Sequence, residues 1–430
     1  GINLEVLKKV EELVKQGLTV ISPRPVRATG LTNYPESDSE IELIAKRMWG
    51  NVNGENVTEN KYGEGHVVWG QDVNEVLVGM EVHPDLKFIS TNENTALDFI
   101  HRTTDNQEIF FVVNRYARKG ISDFKYRYLT DLPDRYEQVE CKFRVTGKVP
   151  ELWDPMTGKI TKQLVYKEEG EYTIIPLHFE PEGSKFIIFR EAEKDEPYIT
   201  HITKDGRSFF PGNQFETKPN PYIELINEDG QFRAHVTEPG DFELTWSDGK
   251  KSLVKVENAI AEQPISGSWE LSFDTAWGGP EKVSIDELKS WTDFSDEGIK
   301  YYSGTATYNK SFSISKKEIK NKKLLLDLGN VQEMAAIKIN GQQMPVKWSA
   351  PFVFDITKHV KAGINNLEVE VVNMWPNRLI LDGRLPEEKR LTKTNVSKFE
   401  TEDADKYLRA SGLLGPVKVR FFENVALRKF

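Results

Sequence analysis

Between Trp375 and Asp382 the sequence gathers side chains able to hold a polyhydroxylated ring. The indole of Trp375 can cover an apolar ring face, while Asn377, Arg378 and Asp382 offer directional hydrogen bonds to hydroxyls. The same four residues equally suit a loop packed on a neighbouring domain, and both readings stay open. Breaking a bond to such a ring would need two carboxyl groups, roughly 5 to 10 Å apart, one protonated and one ionised. With 67 acidic residues, nominal pairs are abundant, so abundance decides nothing. Glu333 with Asp355 and Asp382 with Glu387 fall near sheet ends or loops, where solvation of a surface charge explains them as well. No catalytic residue is assigned.

Metal, nucleotide and thiol chemistry find little support. Asp293-Phe294-Ser295-Asp296-Glu297 is the densest acidic stretch and could fix a structural calcium ion through oxygen ligands, though a solvated charge run is the simpler reading. No cofactor or other metal is expected. The 7 histidines are scattered, without the i, i+4 spacing of a helical zinc pair, and there is neither a Gly-rich phosphate loop nor a Gly-x-Ser-x-Gly elbow. Cys141 is alone, which excludes an intrachain disulfide and a thiolate zinc site and leaves a small buried strand residue.

The elements that must position these residues change character along the chain. Leu4, Leu7, Val10 and Val14 share a helical face within 3–17, with Asn3 as N-cap and Gly17 as C-cap, and a strand follows over 18–21. A second helix is expected from near Asp38 to Gly50, a strand over 65–70 and a short helix over 72–80. Residues 1–85 therefore read as a partial α/β segment, flavodoxin-like or glutamine-amidotransferase-like, with only two strands.

Short strands follow at 109–113, 125–129, 141–145, 172–177 and 185–190, separated by turns such as Asp154-Pro155-Met156-Thr157-Gly158, as in an antiparallel β-sandwich over 86–192. A small β module over 193–262 carries two hairpins, at Asp229-Gly230 and Asp248-Gly249. From 263 to 430 strands are expected at 308–314, 323–328, 335–339, 346–348, 366–372 and 417–422, with a hairpin at Asn340-Gly341. That set suffices for a jelly roll, with a long polar excursion over 377–412 and a short helix near 403–410. Trp291 and Trp348 read as core or interdomain fillers.

At 430 residues, with 38% hydrophobic residues and 9 Trp, 14 Tyr and 23 Phe, the chain can fill several separate cores. The fold class expected is mainly β and multidomain. A net charge of -10 without a basic block interleaved with aromatics argues against nucleic acid, and no apolar run is long enough for a membrane span.

Tyr301-Tyr302-Ser303-Gly304-Thr305-Ala306-Thr307-Tyr308, Leu326-Asp327-Leu328-Gly329, Lys338-Ile339-Asn340-Gly341 and Phe354-Asp355-Ile356-Thr357 occur in the order of the sugar-binding, galactose-binding-like jelly roll of glycoside hydrolase family 2, which this region resembles. A longer set resembles the C-terminal half of large bacterial α-L-rhamnosidases of family 106. It comprises Asn33-Tyr34-Pro35-Glu36-Ser37-Asp38, Tyr62-Gly63-Glu64-Gly65, Pro150-Glu151-Leu152-Trp153-Asp154-Pro155, Leu288-Lys289-Ser290-Trp291-Thr292-Asp293 and Trp375-Pro376-Asn377-Arg378-Leu379-Ile380. The resemblance implies carbohydrate as the ligand and a catalytic barrel upstream, in the same or a neighbouring polypeptide, that carries the catalytic glutamates. It implies an accessory and recognition portion without its own catalytic centre, acting on plant or bacterial polysaccharide. Two alternatives are a free-standing carbohydrate-binding protein and an intact glycosidase with an interdomain active site. A periplasmic or extracellular location follows from the resemblance, and Gly1 in place of an initiator Met is compatible with a removed leader.

Overall fold

A computed structural model describes residues 1–428 apart from 94, 116–134, 193–196, 213–222, 229, 258–260 and 395–402. It divides into two compact units, Gly1–Pro84 and Asp85–Phe430. The strand expected at 125–129 lies outside the described residues.

In the first unit the helix Leu4–Lys15 starts where the Asn3 side chain accepts from the amides of Glu5 and Val6, which satisfies two of the donors left open by a helix start. It packs with the helix Glu36–Trp49 through Leu7, Val14, Ile41, Ile44 and Met48. The sheet has three strands rather than two. Thr19–Ile21 runs parallel to Gly65–Val68, and Glu59–Tyr62 completes it on the other side of Gly65–Val68. Glu59–Tyr62 escapes a hydrophobicity reading because its side chains are polar or only half-buried at a sheet edge. Gly65 has no substitute, since a Cβ there would meet the carbonyl oxygens of Leu18 and Val14 at 2.2 and 2.3 Å.

The second unit opens with a β-sandwich. One sheet runs Lys167–Glu169, Tyr172–Phe179, Glu137–Phe143, Leu86–Ser90; the other runs Leu97–Thr103, Gln107–Asn114, Ser184–Glu191, Lys148–Trp153, Ile160–Lys162. Alternate side chains enter the core, where Phe110, Phe143 and Phe189 meet edge to face with centroids 4.9 to 6.0 Å apart, a favoured aromatic geometry. Cys141 is buried among them, and that burial pushes its thiol far up.

The two hairpins of residues 193–262 do not share a sheet. Gly240–Trp246 and Lys251–Val256 join Ile199–Lys204 and Arg207–Phe210. Ile223–Glu228 pairs with Gln231–Val236, which instead pairs on its other side with Lys418–Ala426, almost at the other end of the chain. Turn residues specify that two strands pair, but not which third strand they join. The Gly249 turn leaves three residues between the paired Trp246 and Lys250, with Gly249 at φ 80, so it is a three-residue loop rather than a two-residue turn.

Two six-stranded sheets build the C-terminal jelly roll. The first holds Ile223–Glu228, Gln231–Val236, Lys418–Ala426, Lys322–Asp327 and Val353–Asp355, with Ala261–Pro264 also on Lys418–Ala426. The second runs Val283–Ile285, Trp269–Phe273, Thr305–Ile314, Gly363–Val372, Met334–Ile339, Gln342–Gln343. Leu324, Leu326, Val419 and Phe421 face Tyr308, Ile337, Leu367 and Val369 across the core. Asn340 and Gly341, at φ 52 and 82, form the tight hairpin that their types predict. The strand expected at 346–348 does not form. Only Lys347 bridges to Ala335, while Val346 and Trp348 are exposed, and Pro345 has no amide to give a ladder. The short helix expected near 403–410 is a 3-10 turn, Ala404–Tyr407. Among the described residues no helix is long and apolar enough to cross a membrane.

Candidate functional site

The Pro376–Arg384 helix begins with Pro at its first turn, where a missing amide costs nothing. It turns Asn377, Arg378 and Asp382 into the protein and leaves Trp375 outside, 63% exposed. Asn377 Nδ2 donates to the Arg409 carbonyl at 2.8 Å and to Ser411 Oγ at 3.1 Å, and its Oδ1 accepts from the Arg409 amide at 2.8 Å. Arg378 Nε donates to Asp382 Oδ1 at 2.9 Å, one turn along the helix, and a second nitrogen lies 2.6 Å from the same oxygen. The amide and hydroxyl of Thr392 close on Asp382 Oδ2 at 2.7 and 2.6 Å. Burial pushes the Asp382 carboxyl up, but Thr392 and Arg378 outweigh it and hold it below the usual carboxylate range.

The structure thus brings the four residues onto one helix and divides their work. Asn377, Arg378 and Asp382 tie the helix to Thr392 and to the 409–411 segment within the 377–412 excursion, and Trp375 alone is presented to solvent. Next to that helix, Tyr301 OH and Lys300 Nζ donate to Asp405, and Arg384 reaches both Tyr301 OH and Asp405. Lys300 first, then Tyr301 and Arg384, hold the Asp405 carboxyl down at about 2 against its desolvation.

The carboxyl pairs do not assemble. Glu333 is tied through its amide to Val372 in the second jelly-roll sheet, whereas Asp355 pairs with Leu325 in the first and accepts from the Thr357 amide and hydroxyl. Asp382 is buried and paired with Arg378, while Glu387 is exposed in a 3-10 turn. Other buried carboxyls have internal partners too. Glu11 accepts from Tyr62 and Arg47, Glu137 from Thr95 beside Arg135, and Glu140 from the Gly212 amide. Burial raises Glu137 and Glu333, the latter despite the opposing charge of Arg409. Asp296 caps the Glu297–Lys300 turn, and among the described residues no three His, Cys, Asp or Glu side chains gather as a metal site.

A cleft that sequence reasoning missed opens inside the second unit, with a volume of about 590 Å³. One wall is the Asp154–Gly158 turn and the 180–185 loop of the sandwich; the other is the 344–349 segment and the strand Val353–Asp355 of the jelly roll. The turn is rigid for local reasons. Asp154 accepts from the Met156 amide at 2.8 Å and the Thr157 hydroxyl at 2.7 Å, and Gly158 takes φ 69. Across the cleft the Trp348 indole N–H is directed at the Met156 sulfur, and Trp348 is 65% exposed rather than filling a core. Trp291, by contrast, is fully buried and donates to Tyr308 OH at 2.6 Å, as a core tryptophan should.

The second unit thus carries an antiparallel sandwich and a C-terminal jelly roll. Residues 1–168 match the alpha-L-rhamnosidase family model, glycoside hydrolase family 106, and residues 257–408 match the sugar-binding domain of glycosyl hydrolases family 2. The structure of a rhamnosidase from Novosphingobium sp. PP1Y is similar over 98% of this chain and 32% of its own, at 27% identity and a TM-score of 0.64. A curated protein of Formosa agariphila, named as a candidate beta-glucuronidase, is 24% identical over 100% of this chain and 50% of its own length. The chain therefore spans about half of the curated relative that it matches and about a third of the rhamnosidase structure.

Proposed function

We propose that this chain is the accessory, carbohydrate-recognition and structural portion of an α-L-rhamnosidase-like glycoside hydrolase acting on plant or bacterial polysaccharide in the periplasm or outside the cell. The observation that supports it best is the jelly roll over 257–408, matched to a sugar-binding domain and presenting an exposed Trp375 beside the Pro376–Arg384 helix. An indole held at the end of a rigid sheet can stack on a pyranose without ordering a loop first. The buried network of Asn377, Arg378 and Asp382 fixes the helix that carries it.

Bond cleavage in this reading belongs to a catalytic barrel in the same or a neighbouring polypeptide. The carboxyls that burial raises, Glu137 and Glu333, do not face each other from one sheet: Glu137 lies in the sandwich and Glu333 in the jelly roll. Glycoside hydrolysis by paired acids needs such a facing pair. The test compares the 430-residue chain with the product of its full reading frame on an aryl α-L-rhamnoside and an aryl β-D-glucuronide. Turnover by the full product alone is expected. Turnover by the 430-residue chain that vanishes when one carboxylate is changed to its amide would overturn the assignment, and the preferred aglycone release identifies the sugar.

A further inference from the structure

The cleft between the Asp154–Gly158 turn and the 344–349 segment has features that the proposed function does not use. Trp348 and Met156 stand exposed at its mouth, and Pro181, Met344, Val346 and Phe354 give it apolar walls. Between these lie charged and hydroxyl groups. Among the described residues Glu182, Ser184, Lys185, Lys347 and Ser349 make no side-chain hydrogen bond or ion pair. Lys185 lies over the Phe179 ring at 5.9 Å and Lys347 over Phe354 at 6.0 Å, so each ammonium is drawn to a wall while its N–H donors stay available.

Two occupants could fill such a space, and their chemistries differ. The buried centre of a protein interface is depleted of Lys and Glu, because each would be desolvated without a partner. Here unpaired lysines and carboxylates line the same walls as the tryptophan. A pyranose suits that mixture, since its C–H face covers an indole and its hydroxyls both donate to carboxylates and accept from ammonium groups. The volume of about 590 Å³ falls within the range of roughly 300 to 1,000 Å³ usual for small-ligand sites. With Asp154, Glu180, Glu182 and Asp355 against Lys185 and Lys347, the lining is net acidic, which favours an uncharged sugar over a uronate.

We propose that this cleft is a saccharide-binding site, separate from the Trp375 end of the jelly roll, that takes a neutral pyranose unit of a glycan with Trp348 as its stacking platform. The site joins the sandwich to the jelly roll, so that a bound sugar would touch both. It rests on the carbohydrate reading above, but not on Trp375.

The experiment titrates the whole chain calorimetrically with L-rhamnose, D-galactose, D-glucuronate and an L-rhamnose-containing oligosaccharide. Trp348→Ala, Lys347→Met and Trp375→Ala are compared with the unaltered chain, and thermal unfolding checks that each variant remains folded. Saturable binding of a neutral sugar or the oligosaccharide is expected, and a component of it weakened at least tenfold by Trp348→Ala and several-fold by Lys347→Met should persist when Trp375→Ala removes binding at the other end of the jelly roll. Binding lost in Trp375→Ala but kept in Trp348→Ala would overturn the cleft and leave the carbohydrate reading intact. Preference for D-glucuronate would overturn the neutral-sugar assignment. Absence of saturable binding to the unaltered chain would overturn the cleft as a site, while the hydrolase reading is decided independently by turnover of the full product.

Discussion

Two tryptophans, Trp375 and Trp348, project from one jelly roll with nearly equal exposure, 63% and 65%, into opposite surroundings. Behind Trp375 every polar group that the sequence singles out has a protein partner: Asn377 with Arg409 and Ser411, Arg378 with Asp382, Asp382 with Thr392. Around Trp348 several polar groups, Glu182, Ser184, Lys185, Lys347 and Ser349, make no side-chain hydrogen bond or ion pair among the described residues, and the walls come from two sandwiches. The difference teaches that residue type does not separate a framework from a binding site. A buried polar group must find a partner, and whether that partner is protein decides which of the two it becomes.

The comparison can be broken hardest at Asp382. Asp382→Ala would strand the buried Arg378 guanidinium and the Thr392 amide, and a loss of about 3–5 kcal/mol is expected in denaturant unfolding. A smaller change would show that Arg378 escapes to solvent and that this end is less closed than its geometry. Next comes Tyr308→Phe, inside the jelly-roll core. It removes the acceptor shared by Trp291 Nε1 at 2.6 Å and the Leu413 amide at 3.0 Å, for about 1–3 kcal/mol by the same measurement. Burial pushes the Tyr308 hydroxyl up to about 12, so the difference between the ultraviolet titrations of the folded unaltered chain and Tyr308→Phe should show no component below pH 10.

Acid sharpens the comparison on the exposed side of the helix. The Asp405 carboxyl titrates lower in the folded chain, at about 2, than in an unfolded one, at about 3.9, so its contribution is complete above the unfolded value and disappears as pH falls through the folded one. Unfolding midpoints measured from pH 5 to pH 2 should therefore fall less steeply in Asp405→Asn. Because Asp405 is about 40% exposed, solvent screening limits the difference to roughly 1 kcal/mol or less. Smallest of all, Trp348→Ala should alter stability by about 0.5 kcal/mol or less, as expected of an exposed side chain with few packed neighbours. A loss of several kcal/mol there would make Trp348 a strut between sandwich and jelly roll instead of a surface for a ligand.

Much of the scaffold was legible because its signals are local. Asn3 and Asp72 cap the helices that follow them, Asn340-Gly341 makes its hairpin, and alternation marks strands such as Thr305–Ile314 and Gly363–Val372. Strands with little apolar content, such as Glu59–Tyr62 and Ala261–Pro264, went unread, because their place in a sheet is fixed by backbone bonds to a partner and not by side-chain burial. For the Pro376–Arg384 helix the residue types were legible but the direction of each side chain was not. Trp, Asn, Arg and Asp serve a ligand or a lock equally well, and helical phase against the 409–411 segment selected the lock.

By itself the sequence determined the mainly β character and the positions of most turns, since propensity, turn chemistry and periodicity act over a few residues, but it did not separate buried Trp291 from exposed Trp348. Only the tertiary structure decided that one hairpin of residues 193–262 pairs with Lys418–Ala426 and that Met156 meets Trp348 from 192 residues away. Contacts at that separation are selected by how whole sheets stack and by the entropy of closing long loops, neither of which leaves a mark on any short stretch of chain.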